Sequence, residues 1–197
     1  MLLLVAAAAL AGCGGGEAPQ GLSSEAPPTS ADPNSTATTP PGQTTTSTTP
    51  PRPVTFAFAG DVHFEPPIRG KLEADPAGLL SAIAPVLGAA DLTVLNLETA
   101  ITSRGTPAAK EYTFRAPESA YVALASAGVD VANLANNHGM DFGAEGLTDT
   151  LYSAALAPFP LIGVGNDATE SHTPFQATIN GQRIAVFGAT QVLDSNL

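Results

Sequence analysis

From residue 54 onward, short apolar runs alternate regularly with longer amphipathic stretches. Residues 54–59 (VTFAFA) place large and small side chains in turn, which predicts a strand with Asp61 at its carboxyl end. Residues 77–87 predict a helix made irregular by Pro85, and residues 92–97 (LTVLNL) predict a second strand ending at Glu98. A polar connection containing Arg104, Gly105 and Lys110 follows. Residues 117–127 predict a helix, with proline at its first position, Glu118 near its positive end and Gly128 as its stop. Residues 129–134 predict a third strand, running into Ala135-Asn136-Asn137-His138-Gly139. A helix over 144–157 and a short strand over 161–164 come next. Residues 175–179 and 183–187 then flank Asn180-Gly181, a strong hairpin signal. Strands alternating with helices in this order predict an α/β fold with a mainly parallel sheet covered by helices.

Before residue 54 this pattern is missing. All 8 Phe and 3 Tyr lie at or after Phe56, whereas 9 of the 18 prolines lie between Pro19 and Pro53. The first ten residues, MLLLVAAAAL, are apolar but too short to span a bilayer as a helix. Leu10-Ala11-Gly12-Cys13 resembles the bacterial lipobox, which implies a signal peptide over 1–12 and lipidation of Cys13. An ordinary secretory signal with a free cysteine is the alternative. No Lys or Arg precedes the apolar run, which points to a true start further upstream. Residues 14–53 are rich in Gly, Pro, Ser and Thr and show no hydrophobic period, so residues 13–53 are expected to form a lipidated, disordered tether. The globular domain is then assigned to 54–197, and the expected location is extracytoplasmic, on the cell membrane.

Charge narrows the partners. Formal net charge is −11, and residues 54–197 carry 15 acidic against 6 basic residues. Such a surface repels phosphate backbones, so no nucleic-acid partner is expected. With a single cysteine, no intramolecular disulfide can form.

In parallel α/β sheets, sites form outside the carboxyl ends of the strands. Three such ends carry Asp61 and His63, then Asn96 and Glu98, then Asn136, Asn137 and His138. Residues two apart in an extended segment point the same way, so Asp61 and His63 can face one point. Carboxylate, carboxamide and imidazole donors suit Mn²⁺, Zn²⁺, Fe or Mg²⁺ and lack the thiolates of a structural zinc site. Each residue also has a simpler role open to it. Asp61 suits a turn or cap, Glu98 suits a surface pair with Arg104 or Arg115, the asparagines suit turns, and either histidine suits a purely structural place. His172, in a polar loop, reads as an ordinary surface histidine.

The segments FAGDVHF (58–64), NLETAIT (96–102), YTFRAP (112–117), LANNHGMDFG (134–143) and GLTDTL (146–151) resemble, in this order, those of the CapA family of capsule or poly-γ-glutamate biosynthesis proteins. The resemblance covers roughly residues 54–190. It implies a calcineurin-like metallophosphoesterase sandwich, two sheets flanked by helices, with two divalent metal ions at the strand ends. It further implies Asp61, His63, Glu98, Asn137 and His138 as metal-site residues, with His138 also catalytic. Asp141 would orient His138, and Asn96 and Asn136 would support the site. The family's further histidines find no match here beyond His172, so the expectation is a fragment holding the first part of a larger domain, with an incomplete metal site. The implied activity is metal-dependent hydrolysis of a phosphoester or related bond in the metabolism of an anionic capsule or envelope polymer, alongside other polymer-synthesis proteins. A non-catalytic polymer-binding or export accessory is the main alternative, and a metal-free structural lipoprotein a third.

Overall fold

A computed structural model describes residues 50–192. The apolar N-terminal run, Cys13 and nearly all of the tether lie outside the described residues. Among the described residues, no helix is long and apolar enough to cross a membrane.

Four parallel strands form the central sheet in the order β1 (Phe56–Val62), β2 (Leu92–Leu97), β5 (Val131–Asn133), β6 (Leu161–Ile162). Strands consecutive in the alternating pattern are neighbours in space, as expected for short crossover connections. All six residues of β2 are buried, which explains its unbroken apolar run: a central parallel strand is covered on both faces. Leu95 and Leu97 pack on one face with α1 (Ile68–Ala74) and α3 (Ser119–Ser126), through Leu72, Ala120 and Leu124. Leu92 and Val94 pack on the other with Val131, Ile162 and the hairpin β7 (Phe175–Ile179) and β8 (Gln182–Val186). The period-two alternation along β2 therefore sorts its side chains between two cores.

The hairpin matches its sequence signal. Asn180 and Gly181 both take positive φ, 52° and 79°, as a two-residue hairpin turn demands. The α3 stop is equally clear. Gly128 (φ 87°) donates to the Ala125 carbonyl, and Val129 donates to that of Leu124, which together make a Schellman cap.

Several elements differ from expectation. Only Ala84–Leu87 (α2) of the 77–87 stretch is helical. Pro85 lacks an N–H and so is accommodated at the start of a helix rather than inside one. The helix α1 lies earlier, where Gly70 and a single buried residue, Leu72, leave little period to read. The connection after Glu98 holds two short parallel strands, β3 (Ala100–Ile101) and β4 (Arg115–Ala116). The helix α4 (Gly143–Ala154) packs beside β3, where Thr150 Oγ1 accepts from the Ile101 amide at 2.9 Å. A one-turn helix, α5 (Ala168–Ser171), precedes the hairpin, and its cap Asp167 accepts from the Glu170 amide.

Candidate functional site

The carboxyl ends of β1, β2 and β5 bring their polar residues abreast. Asp61 pairs in register with Asn96, and Asn96 with Asn133. A bulge between Ala59 and Asp61 makes the first of these pairings, with Gly60 as the extra residue. Asn96 is the centre of the cluster and only 2% exposed. Its Nδ2 donates to Asp61 Oδ1 at 2.9 Å and also to Glu98 Oε2. Its Oδ1 accepts from Asn133 at 3.2 Å and from Asn136 at 3.0 Å. Asn136 also donates to the Leu97 carbonyl and accepts the backbone N–H of His138, which fixes the turn after β5.

Glu98 is 6% exposed, so the surface pairing open to it in the sequence does not occur. Arg104 instead binds Glu145 and Asp149 on α4, and the Arg115 guanidinium lies over the Phe142 ring. Burial pushes the Glu98 carboxyl up to about 7. The nearby Asp61 charge and a hydrogen bond to Asp61 add to the rise, and the Asn96 amide opposes it.

His138 is buried. Its Nδ1 faces Asp141 Oδ2 at 2.7 Å, and its Nε2 faces Glu98 Oε1 at 3.6 Å. Asp141 thus stands where the sequence expected a residue orienting His138. Its Oδ2 also accepts the Phe114 amide at 2.5 Å. Its Oδ1 has no aligned hydrogen-bond donor but lies 2.5 Å from Lys110 Nζ, so charge rather than a directed hydrogen bond answers it. Lys110 also donates to the Asn137 carbonyl at 2.6 Å.

Two expected residues lie apart from this cluster. His63 is exposed and stacks on one face of Phe114 at 4.3 Å, while His138 stacks on the other at 4.2 Å. The interposed ring prevents the two imidazoles from sharing one ion. Asn137 lines a cavity of about 370 Å³ at the ends of β5 and β6, together with Asn136, Gly163, Thr190 and His172. His172 is exposed, as expected, and its Nδ1 donates to the Ala168 carbonyl at 2.6 Å.

Sequence reasoning missed Asn133, Phe114 and Lys110. Asn133 left a signal, a lone carboxamide inside an apolar strand. The other two left none, because their role depends on the path of the loop that carries them.

The cluster suits a hard divalent cation in donor type, since two carboxylates approach one small group. It does not suit one in arrangement. Among the described residues, no three His, Cys, Asp or Glu are placed to hold a metal ion. The Asn96 amide stands between Asp61 and Glu98, where a cation would be needed.

Residues 55–196 match the family described as "Bacterial capsule synthesis protein PGA_cap". A probable polyglutamine synthesis accessory protein of Mycobacterium tuberculosis is 34% identical over 110 residues, covering 55% of this chain and 29% of that protein. Capsule biosynthesis protein CapA of Bacillus anthracis is 36% identical over 75 residues, covering 38% and 18%. PGA biosynthesis protein CapA of Bacillus subtilis (strain 168) is 27% identical over 140 residues, covering 69% and 37%. The chain thus spans less than two fifths of the length of these curated relatives. With the match running through both cores and every strand-end residue described above, this chain belongs to the family of bacterial capsule synthesis proteins of the PGA_cap type.

Proposed function

We propose that this chain serves the biosynthesis of a capsule or envelope polymer of the poly-γ-glutamate type, as a metal-dependent hydrolase of phosphoester or related bonds. On this reading the sheet is part of a calcineurin-like two-sheet sandwich, and a lipid on Cys13 holds the protein at the outer face of the cell membrane. The observation that carries the reading is the Asp61–Asn96–Glu98 cluster: two carboxylates bridged by one amide, with Glu98 raised to about 7 by burial and by the neighbouring charge. A cation between them would relieve that repulsion.

Asp61 and Glu98 would supply the carboxylates to a first divalent ion once the Asn96 amide turned from between them, and His63 and Asn137, which lie apart from that point, would join it only by moving toward it. Manganese, iron, zinc and magnesium all suit these donors. Such an ion, when bound, polarises a phosphoryl or acyl oxygen. His138 would move a proton at Nε2, its Nδ1 being engaged by Asp141. Asn136 keeps that ring in place through the His138 amide.

A second reading is a non-catalytic accessory that binds anionic polymer. The Asn96 amide between the carboxylates favours it, as does the word "accessory" in the name of the mycobacterial relatives. Titration of the 197-residue chain with Mn²⁺ by calorimetry separates the two. The hydrolase reading expects binding that weakens by roughly tenfold or more in Asp61→Ala and Glu98→Ala, with turnover of bis(p-nitrophenyl) phosphate lost in His138→Ala. Failure of the unmodified chain to bind Mn²⁺ rules out Asp61 and Glu98 as a metal site in this chain. Binding without turnover favours the accessory role.

A further inference from the structure

We propose that Phe114 and Lys110, both on the connection between β3 and β4, are positioning residues that set the ring plane and the tautomer of His138. The proposal rests on the reading that His138 works at the strand-end cleft, and it names the residues that hold His138 there.

One loop reaches His138 by three independent routes. The Phe114 ring lies against the imidazole at 4.2 Å with 22° between the planes, a stacked contact that fixes the ring's tilt. The Phe114 amide donates to the Asp141 oxygen that faces His138 Nδ1. Lys110 Nζ lies 2.5 Å from the other Asp141 oxygen and donates to the carbonyl of Asn137, the residue immediately before His138. The loop is tied back once more where the Ala108 amide donates to the Asp141 carbonyl at 2.8 Å.

The consequence is chemical. A carboxylate oxygen only accepts, so the oxygen opposite Nδ1 keeps the ring proton on that nitrogen. Nε2 faces Glu98 Oε1 at 3.6 Å, on the side of the ring away from Asp141. Asp141 is fully buried, so its orientation depends on the donors around it, and those donors come from this loop. His63 closes the far side of the arrangement. It stacks on Phe114 at 4.3 Å and 9°, and its Nδ1 accepts from the Glu65 amide at 3.3 Å. Phe114 is thus clamped between two imidazoles and spaces them, so that each serves its own position.

The test is NMR of the 197-residue chain with ¹³C,¹⁵N-labelled histidine. Both imidazoles sit over the face of one benzene ring, so the ring protons of His63 and His138 should lie upfield of those of His172. Phe114→Leu should abolish both shifts together, and Phe114→Tyr should retain them. The ¹⁵N shifts of His138 should show a proton on Nδ1, the nitrogen that faces Asp141. Lys110→Met should convert this to a mixture of tautomers, and Lys110→Arg should restore it. The backbone amide spectrum reports folding, and if Lys110→Met unfolds, the Phe114 pair decides alone. The proposal is overturned if His63 and His138 show no upfield shift, if Phe114→Leu leaves the shifts in place, or if folded Lys110→Met keeps a pure Nδ1–H tautomer. These readouts need neither metal nor turnover. Absent Mn²⁺ binding with intact shifts therefore counts against the hydrolase reading and leaves the positioning set standing.

Discussion

A buried carboxyl beside a second carboxylate has one direction in which to move, and Glu98 follows it. Its folded value of about 7 lies above the ordinary 4.5, so the folded protein binds a proton that the unfolded chain releases. The stability Glu98 contributes is therefore complete below about pH 4.5 and is lost as pH rises through about 7. Melting of the metal-free chain in chelator should show this fall, and Glu98→Gln should flatten it; an unchanged slope in the variant would assign the effect elsewhere. Asp149 runs the other way. Hydrogen bonds from Arg104 and Thr102 hold it below the usual carboxylate range, so its contribution fades at low pH. At this scale most of the candidate site was legible. Asp61, Asn96, Glu98, Asn136, His138 and Asp141 are polar residues ending or following apolar runs, which is the signature of strand-end chemistry. Phe114 and Lys110 were not legible, because an aromatic and a lysine in a polar stretch announce nothing until the loop's path is known.

At the scale of elements, the caps and turns carry the clearest consequences. Gly128 closes α3 in the left-handed region, and a Cβ placed there would meet the Gly88 backbone at 2.9 Å. Gly128→Ala should cost at least about 1 kcal/mol, read as a lower midpoint in urea. A neutral result would mean that the α2–α3 contact yields freely. Helix stop, hairpin and parallel strands could all be read ahead of the structure, since each rests on an apolar run, on its place in the strand–helix alternation or on a glycine with a single purpose. The elements that escaped are β3 and β4, with two residues each, α5, with four, and α1, whose seven residues include Gly70 and bury only Leu72. The strands β3 and β4 lie in a polar connection, outside the strand–helix alternation that made the equally short β6 readable. The misplaced helix at 77–87 has a different cause: its apolar residues are real, but Pro85 removes the amide that a continuous helix would need.

Taken whole, the described residues form a sheet covered by helices on one face and by a hairpin on the other. The strand–helix alternation predicted the parallel sheet. Where the hairpin would pack was not readable, because β7 and β8 alternate apolar and polar residues in a way that suits any half-covered ribbon. The net charge of −11 belongs to this scale too. Raising salt from roughly 0.01 to 0.1 M shortens the screening length from about 30 to about 10 Å, which should relieve self-repulsion and raise Tm. A fall in Tm over that range would show that surface pairs such as Arg104 with Glu145 and Asp149 outweigh the repulsion.

The entry of the chain into the sheet is itself fastened. The Arg52 amide donates to the Asn180 carbonyl, the Asn180 side chain donates to the Pro53 carbonyl, and the Thr55 amide and hydroxyl both donate to Asp91. These bonds lie at the amino ends of the parallel strands, while Asp61, Glu98 and His138 lie beyond the carboxyl ends. Mechanically, the clasp stands in series before β1. A pull on the N-terminal side would strain the hairpin turn and Asp91 first, and the polar cluster would bear load only after the clasp had parted.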